Sequence, residues 1–265
     1  MDELDRKEWR MDEKPIRGPN PPFPEIIRVE VGSTIHGIGL ENKDDRDEMG
    51  VCIEPPEYVM GLEVFEQYEY RTARERTGIR DARSQPGDLD LTVYSLRKYL
   101  RLAIKGNPTV MLLLFVPEDR LVVKTPLGKE LQELAPAIAS RSAGQQFLGF
   151  LTAQKQRLLR ERGTAKIPSR DDQNAKYAAH MLRLGYQGVE FLTTGRITLP
   201  IPERDRELVL DTKRGEADMN RVLSTVAELE RELADLIDTS PLQPEPDQEA
   251  VNRFLVEAHL RSWND

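Results

Sequence analysis

The stretch that decides the fold of this chain reads IIRVEVGSTIHG over residues 26–37, followed by DDRDEMGV over residues 44–51. The first part predicts a strand over 26–31 that runs into a Gly-Ser turn, and the second predicts a strand over 46–53. Successive side chains of a strand point to opposite faces, so Asp45 and Asp47 share one face. Adjacent carboxylates repel each other unless a cation lies between them, and their hard oxygens suit Mg²⁺. The pattern therefore predicts a pair of metal ligands beside the turn.

The turn itself carries the features that phosphate binding requires. Gly32 allows the backbone to approach a phosphate closely, and Ser33 offers a hydroxyl and an N–H to its oxygens. A phosphate site next to a metal site indicates nucleotide chemistry.

A third acidic position comes from residues 88–94, where polar and apolar residues alternate again. Asp88 and Asp90 share a face of this predicted strand, and the spacing alone leaves both as candidates. If this strand pairs beside the strand of Asp47, three carboxylates converge, and they can hold two metal ions bridged by a triphosphate.

These motifs resemble the signature of the nucleotidyltransferases of the DNA polymerase β superfamily, namely a Gly-Ser, a downstream glycine (here Gly37) and an Asp-x-Asp that opens a strand. They are similar in particular to the small prokaryotic and phage branch associated with RNA repair. In that branch a third acidic strand leads into a Leu-Arg-Lys helix and an Asn-Pro, here residues 96–98 and 107–108. The resemblance spans residues 25–235. Asp44, where the family has a small residue, is a departure from the pattern.

The resemblance implies an α+β fold with a polymerase-β-like nucleotidyltransferase core, a mixed sheet with helices, followed by a C-terminal helical bundle. It places the third metal ligand at Asp90, with Asp88 as the alternative, and it implies two Mg²⁺ ions, for which Mn²⁺ can substitute. Lys176, His180 and Arg183 form one stripe of a later predicted helix, because positions four and seven apart lie on one side. Such a stripe is typical of a surface beside a core, whereas the resemblance implies that the Lys and the Arg bind the triphosphate.

The activity implied is metal-dependent transfer of a nucleoside monophosphate from an NTP to an acceptor hydroxyl, in particular an RNA or tRNA 3′ end. Two alternatives stay open: a toxin-like enzyme that nucleotidylates a protein, and a non-catalytic nucleotide or RNA binder. Residues 141–170 hold seven basic residues and one acidic residue in a chain of net charge −8. This local surplus predicts a face that tracks an RNA backbone, and its proposed contacts are Arg141, Lys155, Arg157 and Arg160.

Composition narrows the class of protein further. Cys52 is the single cysteine among 265 residues, which fits a reducing compartment. The longest apolar run, residues 110–116, is far shorter than the roughly 20 residues of a membrane helix. We therefore expect a cytoplasmic protein without membrane contact, and the resemblance implies a bacterial or phage source.

Four regions are predicted along the chain. Residues 1–24 form an extended N-terminal arm, 25–116 the nucleotidyltransferase core, 117–238 a helical domain that completes the nucleotide site, and 239–265 a linker with a last helix. That last helix either docks back or mediates association. Residues 57–87 are rich in arginine among acidic neighbours and fit either a mobile solvated segment or a loop that contacts substrate.

Overall fold

A five-stranded mixed sheet forms the centre of the molecule in the computed structural model, which describes residues 19–40, 45–162 and 170–264, without the side chains of 160–162 and 170–173. The spatial order of the strands is β3-β4-β2-β1-β5. Their bounds are β1 Glu25–Glu30, β2 Arg46–Cys52, β3 Gln67–Arg71, β4 Leu89–Ser95 and β5 Leu121–Lys124.

The pairing of β2 with β4 sets the position of the acidic residues. These two strands are parallel, with Asp47 opposite Asp90. The edge strand β3 pairs antiparallel with β4, which places Arg71 opposite Asp90 from the other side. On the far side of β2, β1 runs antiparallel to both β2 and β5. The metal-ligand candidates thus lie where two central strands begin.

Helices follow or connect the strands throughout the described residues. The first five are short and lie within or beside the sheet region: α1 Gly32–Ile35, α2 Pro56–Met60, α3 Thr72–Thr77, α4 Leu96–Ala103 and α5 Pro108–Met111. The others make up the helical part: α6 Pro126–Glu133, α7 Ala135–Ile138, α8 Ala143–Arg162, α9 Arg170–Thr194, α10 Glu203–Arg214, α11 Met219–Thr239 and α12 Gln248–Asn264. A 3₁₀ turn over Leu112–Phe115 continues α5.

Two clusters of buried apolar residues stabilise this arrangement. The larger one joins the sheet face that carries Met49 and Val51 to α4, α8, α9 and α11. The smaller one lies on the opposite face around Cys52 and Leu91, where Phe23 and Phe65 pack against it. Burial raises the pKa of the Cys52 thiol to about 12, so Cys52 is an inert core residue.

The α+β fold predicted from the sequence is confirmed, with two strands that the sequence pattern had not indicated. Strand β3 and helices α2 and α3 give regular structure to residues 57–87. Strand β5 extends the sheet to Lys124, beyond the predicted end of the core at residue 116. Residues 1–18 of the predicted N-terminal arm lie outside the described residues.

The last helix docks back onto the core, which was one of its two predicted placements. His259 Nε2 lies 3.1 Å from Glu54 Oε2, and Trp263 Nε1 donates a hydrogen bond of 2.9 Å to the Glu54 carbonyl. The same Glu54 carboxylate accepts a bond of 3.1 Å from the backbone N–H of Leu96, at the start of α4. No described helix combines the length and apolar character needed to cross a membrane.

Candidate active site

Three carboxylates come together at the start of β2 and β4. One oxygen from each of Asp45, Asp47 and Asp90 lies within 4.8 Å of the others, and all three side chains are partly buried. The register of two parallel strands produces this cluster, because Asp47 and Asp90 are direct neighbours. Hard oxygen donors this close together fit a divalent cation such as Mg²⁺. Asp44 lies outside the described residues.

Asp88, the alternative third ligand, does not belong to this cluster. It precedes β4, and its carboxylate accepts two hydrogen bonds from Arg76, of 2.6 and 2.9 Å, and one of 2.8 Å from the backbone N–H of Gln85. The bonds from Arg76 are the main reason that the pKa of Asp88 is lowered. Asp88 therefore fixes the loop before β4.

The Gly-Ser turn packs directly against the acidic cluster. Gly32 has φ +69°, a left-handed conformation that favours glycine, and a Cβ there would overlap the carboxylate of Asp47. The preceding residue, Val31, donates a backbone bond of 2.9 Å to the carbonyl of Asp47. Ser33 follows in the one-turn helix α1 and lines the same cavity as the carboxylates.

Helix α9 forms the opposite wall of this cavity, whose volume is about 720 Å³. Lys176, His180 and Arg183 line it together, as the helical spacing predicted. A cavity of this size is within the range of small-molecule sites, roughly 300–1,000 Å³. One cavity thus has carboxylates on its sheet wall and basic groups on its helix wall.

Arg183 is a buried guanidinium with only neutral partners among the described residues. It is 7% exposed, donates 2.8 Å to Gln187 Oε1, and lies 2.5 Å from His180 Nε2. Burial lowers the pKa of Arg183 to about 10, so the side chain stays charged at neutral pH. Because no described carboxylate pairs with it, this charge is available to an anion in the cavity.

His180 and His36 are both neutral at physiological pH. Burial, followed by the charges of Arg183 and Arg157, lowers the pKa of His180 to about 3. Burial also lowers the pKa of His36 well below its usual value, and its Nδ1 lies 3.1 Å from Gln187 Nε2. The amide of Gln187 donates to His36 and accepts from Arg183, which assigns the His36 proton to Nε2. This chain of hydrogen bonds links the Gly-Ser turn to α9.

Several cavity residues were not predicted. Lys213 of α10 lines the cavity and donates 2.9 Å to the Ile38 carbonyl. The sheet wall adds residues of β3 and β4, and α5 and the 3₁₀ turn close one end: Glu69, Arg71, Thr92, Tyr94, Thr109 and Leu112. The alternation in QYEYR, residues 67–71, is a signal that could have identified β3. Lys213 has no comparable signal.

The three proposed RNA contacts whose side chains are described, Arg141, Lys155 and Arg157, do not line the cavity. Arg141 Nη1 donates 2.8 Å to the Asp238 carbonyl, and Lys155 Nζ lies 2.5 Å from the Glu230 carboxylate. Arg157 is exposed on α8, and the side chain of Arg160 lies outside the described residues. Of the four, Arg157 keeps an exposed basic group in the described part of the chain, and its charge acts on His180.

Comparison with known proteins agrees with the motifs. A model of the RNA repair pathway DNA polymerase beta family matches residues 20–257. Among solved structures, the chain is similar to a nucleotidyltransferase-like protein from Exiguobacterium sibiricum 255-15, with 10% identity, a TM-score of 0.32, and coverage of 88% of this chain and 73% of that one. No curated protein matches the sequence. Since the family model covers most of the chain, this protein belongs to the RNA repair pathway DNA polymerase beta family.

Proposed function

We propose that this protein transfers a nucleoside monophosphate from an NTP to a hydroxyl at an RNA 3′ end. The observation that carries the proposal is one cavity with three carboxylates on one wall and, on the other, the buried guanidinium of Arg183, which pairs with no carboxylate of the described residues. An NTP with its divalent ions has the complementary charges: the ions match the carboxylates, and the triphosphate matches the guanidinium.

The metal ions of this proposal are two Mg²⁺, with Mn²⁺ as a substitute, and the carboxylates that would hold them are those of Asp45, Asp47 and Asp90. Asp45 and Asp47 would hold one ion on the side of the triphosphate, and all three carboxylates would hold the other on the side of the acceptor. When bound, the ions would neutralise phosphate charge and lower the pKa of the acceptor hydroxyl.

The side chains of this protein would position the nucleotide. Gly32 permits close approach, and Ser33 offers its hydroxyl and N–H to the terminal phosphates. The acceptor hydroxyl would release its proton to water, and its oxygen would attack the α-phosphorus in line while the bond from that phosphorus to the bridging oxygen breaks and pyrophosphate leaves. Lys176 and Arg183 would offset the charge on this leaving group, while neutral His180 orients Arg183 by accepting its hydrogen bond.

RNA is the acceptor that the family description favours, because that description places the family in an RNA repair pathway. The test is incubation with each labelled NTP, Mg²⁺ and total RNA, with both RNA and protein resolved afterwards. We expect labelled RNA. Label on protein would favour nucleotidylation of a protein, and the absence of label with every NTP would favour a non-catalytic binder; either result contradicts the proposal.

Two substitutions make this test specific for the carboxylates. Asp47→Asn and Asp90→Asn should each reduce transfer by about 10³-fold or more, because a neutral amide cannot hold the ions that catalysis requires. Melting temperatures should stay close to that of the parent protein. Asp88→Asn is the matched control and should retain transfer, since its carboxylate binds Arg76. Retained transfer in the Asp47 variant would remove this residue from the proposed role.

A further inference from the structure

A cation already binds the third carboxylate of the cluster. Arg71 Nε donates a hydrogen bond of 3.0 Å to Asp90 Oδ2. Ser84 Oγ lies 3.0 Å from both oxygens of Asp90 and accepts a bond of 2.9 Å from Arg71 Nη2. The Arg71 guanidinium therefore offsets the charge of Asp90, and the Ser84 hydroxyl adds a hydrogen bond.

The strand order determines the side from which this guanidinium approaches. Arg71 ends β3, and β4 lies between β3 and β2. Arg71 thus contacts Asp90 from the side away from Asp47 and leaves the three carboxylates together. It also lines the cavity, with a side chain that is 35% exposed.

A positive charge on a ligand weakens the binding of a divalent ion to that ligand, because the two cations compete for the same carboxylate. The competition is reciprocal: an ion that binds Asp90 weakens the hold of Asp90 on Arg71. The guanidinium then needs another anion, and its planar fork matches the oxygens of a phosphate. Under the proposed function Asp90 would hold the ion that activates the acceptor, so a phosphate of the acceptor strand would be the anion nearest to Arg71.

We propose that Arg71 binds the RNA acceptor. In the free protein Arg71 pairs with Asp90, and when a divalent ion binds Asp90, Arg71 pairs instead with an RNA phosphate. This inference rests on the proposed function, since it requires both the ion and an RNA acceptor. It adds a coupling between the two ligands, because binding of a divalent ion to Asp90 and binding of the RNA strengthen each other.

The first test measures Mn²⁺ binding to the NTP-free protein by electron paramagnetic resonance. Arg71→Gln should tighten the Asp90-dependent site by about tenfold, because it removes the competing charge. Arg71→Lys keeps the charge and should stay within about twofold of the parent protein. Arg76→Gln is the matched control, since Arg76 forms the same kind of ion pair with Asp88 outside the cluster, and it should leave Mn²⁺ affinity unchanged.

The second test measures the affinity for a fluorescent single-stranded RNA, with Ca²⁺ in place of Mg²⁺ to prevent turnover, or with EDTA. Arg71→Gln should weaken RNA binding about fivefold in Ca²⁺ and less than about twofold in EDTA, where Asp90 still holds Arg71 in the parent protein. Arg76→Gln should change neither value.

The outcomes separate this inference from the proposed function. Unchanged or weaker Mn²⁺ binding in Arg71→Gln, or an equal loss of RNA affinity with and without Ca²⁺, would overturn the role of Arg71 while Asp47-dependent Mn²⁺ binding still supports the proposed function. A parent protein without Asp47-dependent Mn²⁺ binding would contradict both.

Discussion

Two buried charged groups in this protein have opposite surroundings. Arg183 in the cavity contacts only neutral partners in the described residues, namely His180 and Gln187. Glu54, where α12 meets the core, accepts hydrogen bonds from the Leu96 N–H and from His259. We call this second contact the α12 seam. Its side chains are 1% and 5% exposed for Glu54 and His259.

This is the difference that we expect between a group that binds a ligand, as proposed for Arg183, and a group that stabilises the fold. A buried charge with matched partners is balanced within the fold, and removal of one partner is costly. A buried charge without an opposite charge destabilises the free protein and is offset when a ligand supplies that charge. We therefore expect substitutions in the cavity to change activity and substitutions in the α12 seam to change stability.

The largest expected effect comes from Arg183→Met. Under the proposed function this guanidinium would face the triphosphate, so its loss should lower kcat/KM by about 10²–10³-fold, as for other groups that stabilise developing charge. The free energy of unfolding should change by less than about 1 kcal/mol, because the lost hydrogen bonds are balanced by relief from burying a charge. Steady-state kinetics and urea unfolding of the same preparation check both values. A large loss of stability with unchanged kcat/KM would contradict the prediction, because it would make Arg183 a group that stabilises the fold.

Glu54→Ala should have the opposite effects, a loss of stability without a change in NTP affinity. It leaves the Leu96 N–H and His259 without their acceptor, and breaking such a buried pair costs about 3 kcal/mol of unfolding free energy. NTP affinity of the folded protein should be unchanged, since Glu54 does not line the cavity.

The matched control for the α12 seam is Glu130→Ala. Glu130 also pairs with α12, through Arg261, but both side chains are largely exposed, and exposed pairs contribute less than about 1 kcal/mol. Equal losses of unfolding free energy in the two variants would show that burial of the α12 seam does not affect its contribution to stability. Urea unfolding of both proteins in one buffer makes the comparison direct.

The α12 seam should also weaken in acid. Burial alone would raise the pKa of Glu54, but hydrogen bonds from His259, the backbone and Ser95, together with the interaction with the charge of His259, outweigh it and lower the pKa below the ordinary value of 4.5. A carboxyl whose folded pKa is depressed stabilises the protein above its unfolded pKa, and this contribution is lost as the pH falls through the folded value. The stability advantage of the parent protein over Glu54→Gln should therefore shrink from about pH 6 to pH 3 in urea unfolding. A constant difference would contradict the sign of this shift.

The sequence predicts the residues of the cavity better than the residues of the α12 seam. The ligand pair of β2 and the stripe of α9 are local patterns, visible at spacings of two, four and seven residues. Asp90 required the family motif, because spacing alone could not separate it from Asp88. The carboxylates lie together once β2 and β4 pair. The packing of α9 beside the Gly-Ser turn, where Gln187 contacts His36, is a second long-range step.

The remaining contacts depend on long-range packing that has no local signature. Glu54 and His259 are 205 positions apart, and nothing near either of them indicates the other. Arg71 reaches Asp90 only because β3 takes the edge beside β4. Lys213 lines the cavity because α10 packs against α9. Local patterns therefore identified residues, and the fold determined which of them became partners.

The smallest expected effect concerns two basic residues of α8. Arg157 and Lys155 allow the same comparison at the surface, between an exposed charge and a charge paired within the protein. Lys155 is paired with Glu230, whereas Arg157 is exposed and lies close enough to the cavity wall to lower the pKa of His180. If residues 141–170 bind RNA, Arg157→Ala should weaken RNA binding about threefold and reduce its salt slope by about one between roughly 50 and 200 mM salt. Lys155→Ala should leave the slope unchanged, because its charge is already used within the protein. Fluorescence anisotropy across the salt series distinguishes them, and equal slopes for both variants would mean that pairing does not decide which basic residues contact RNA.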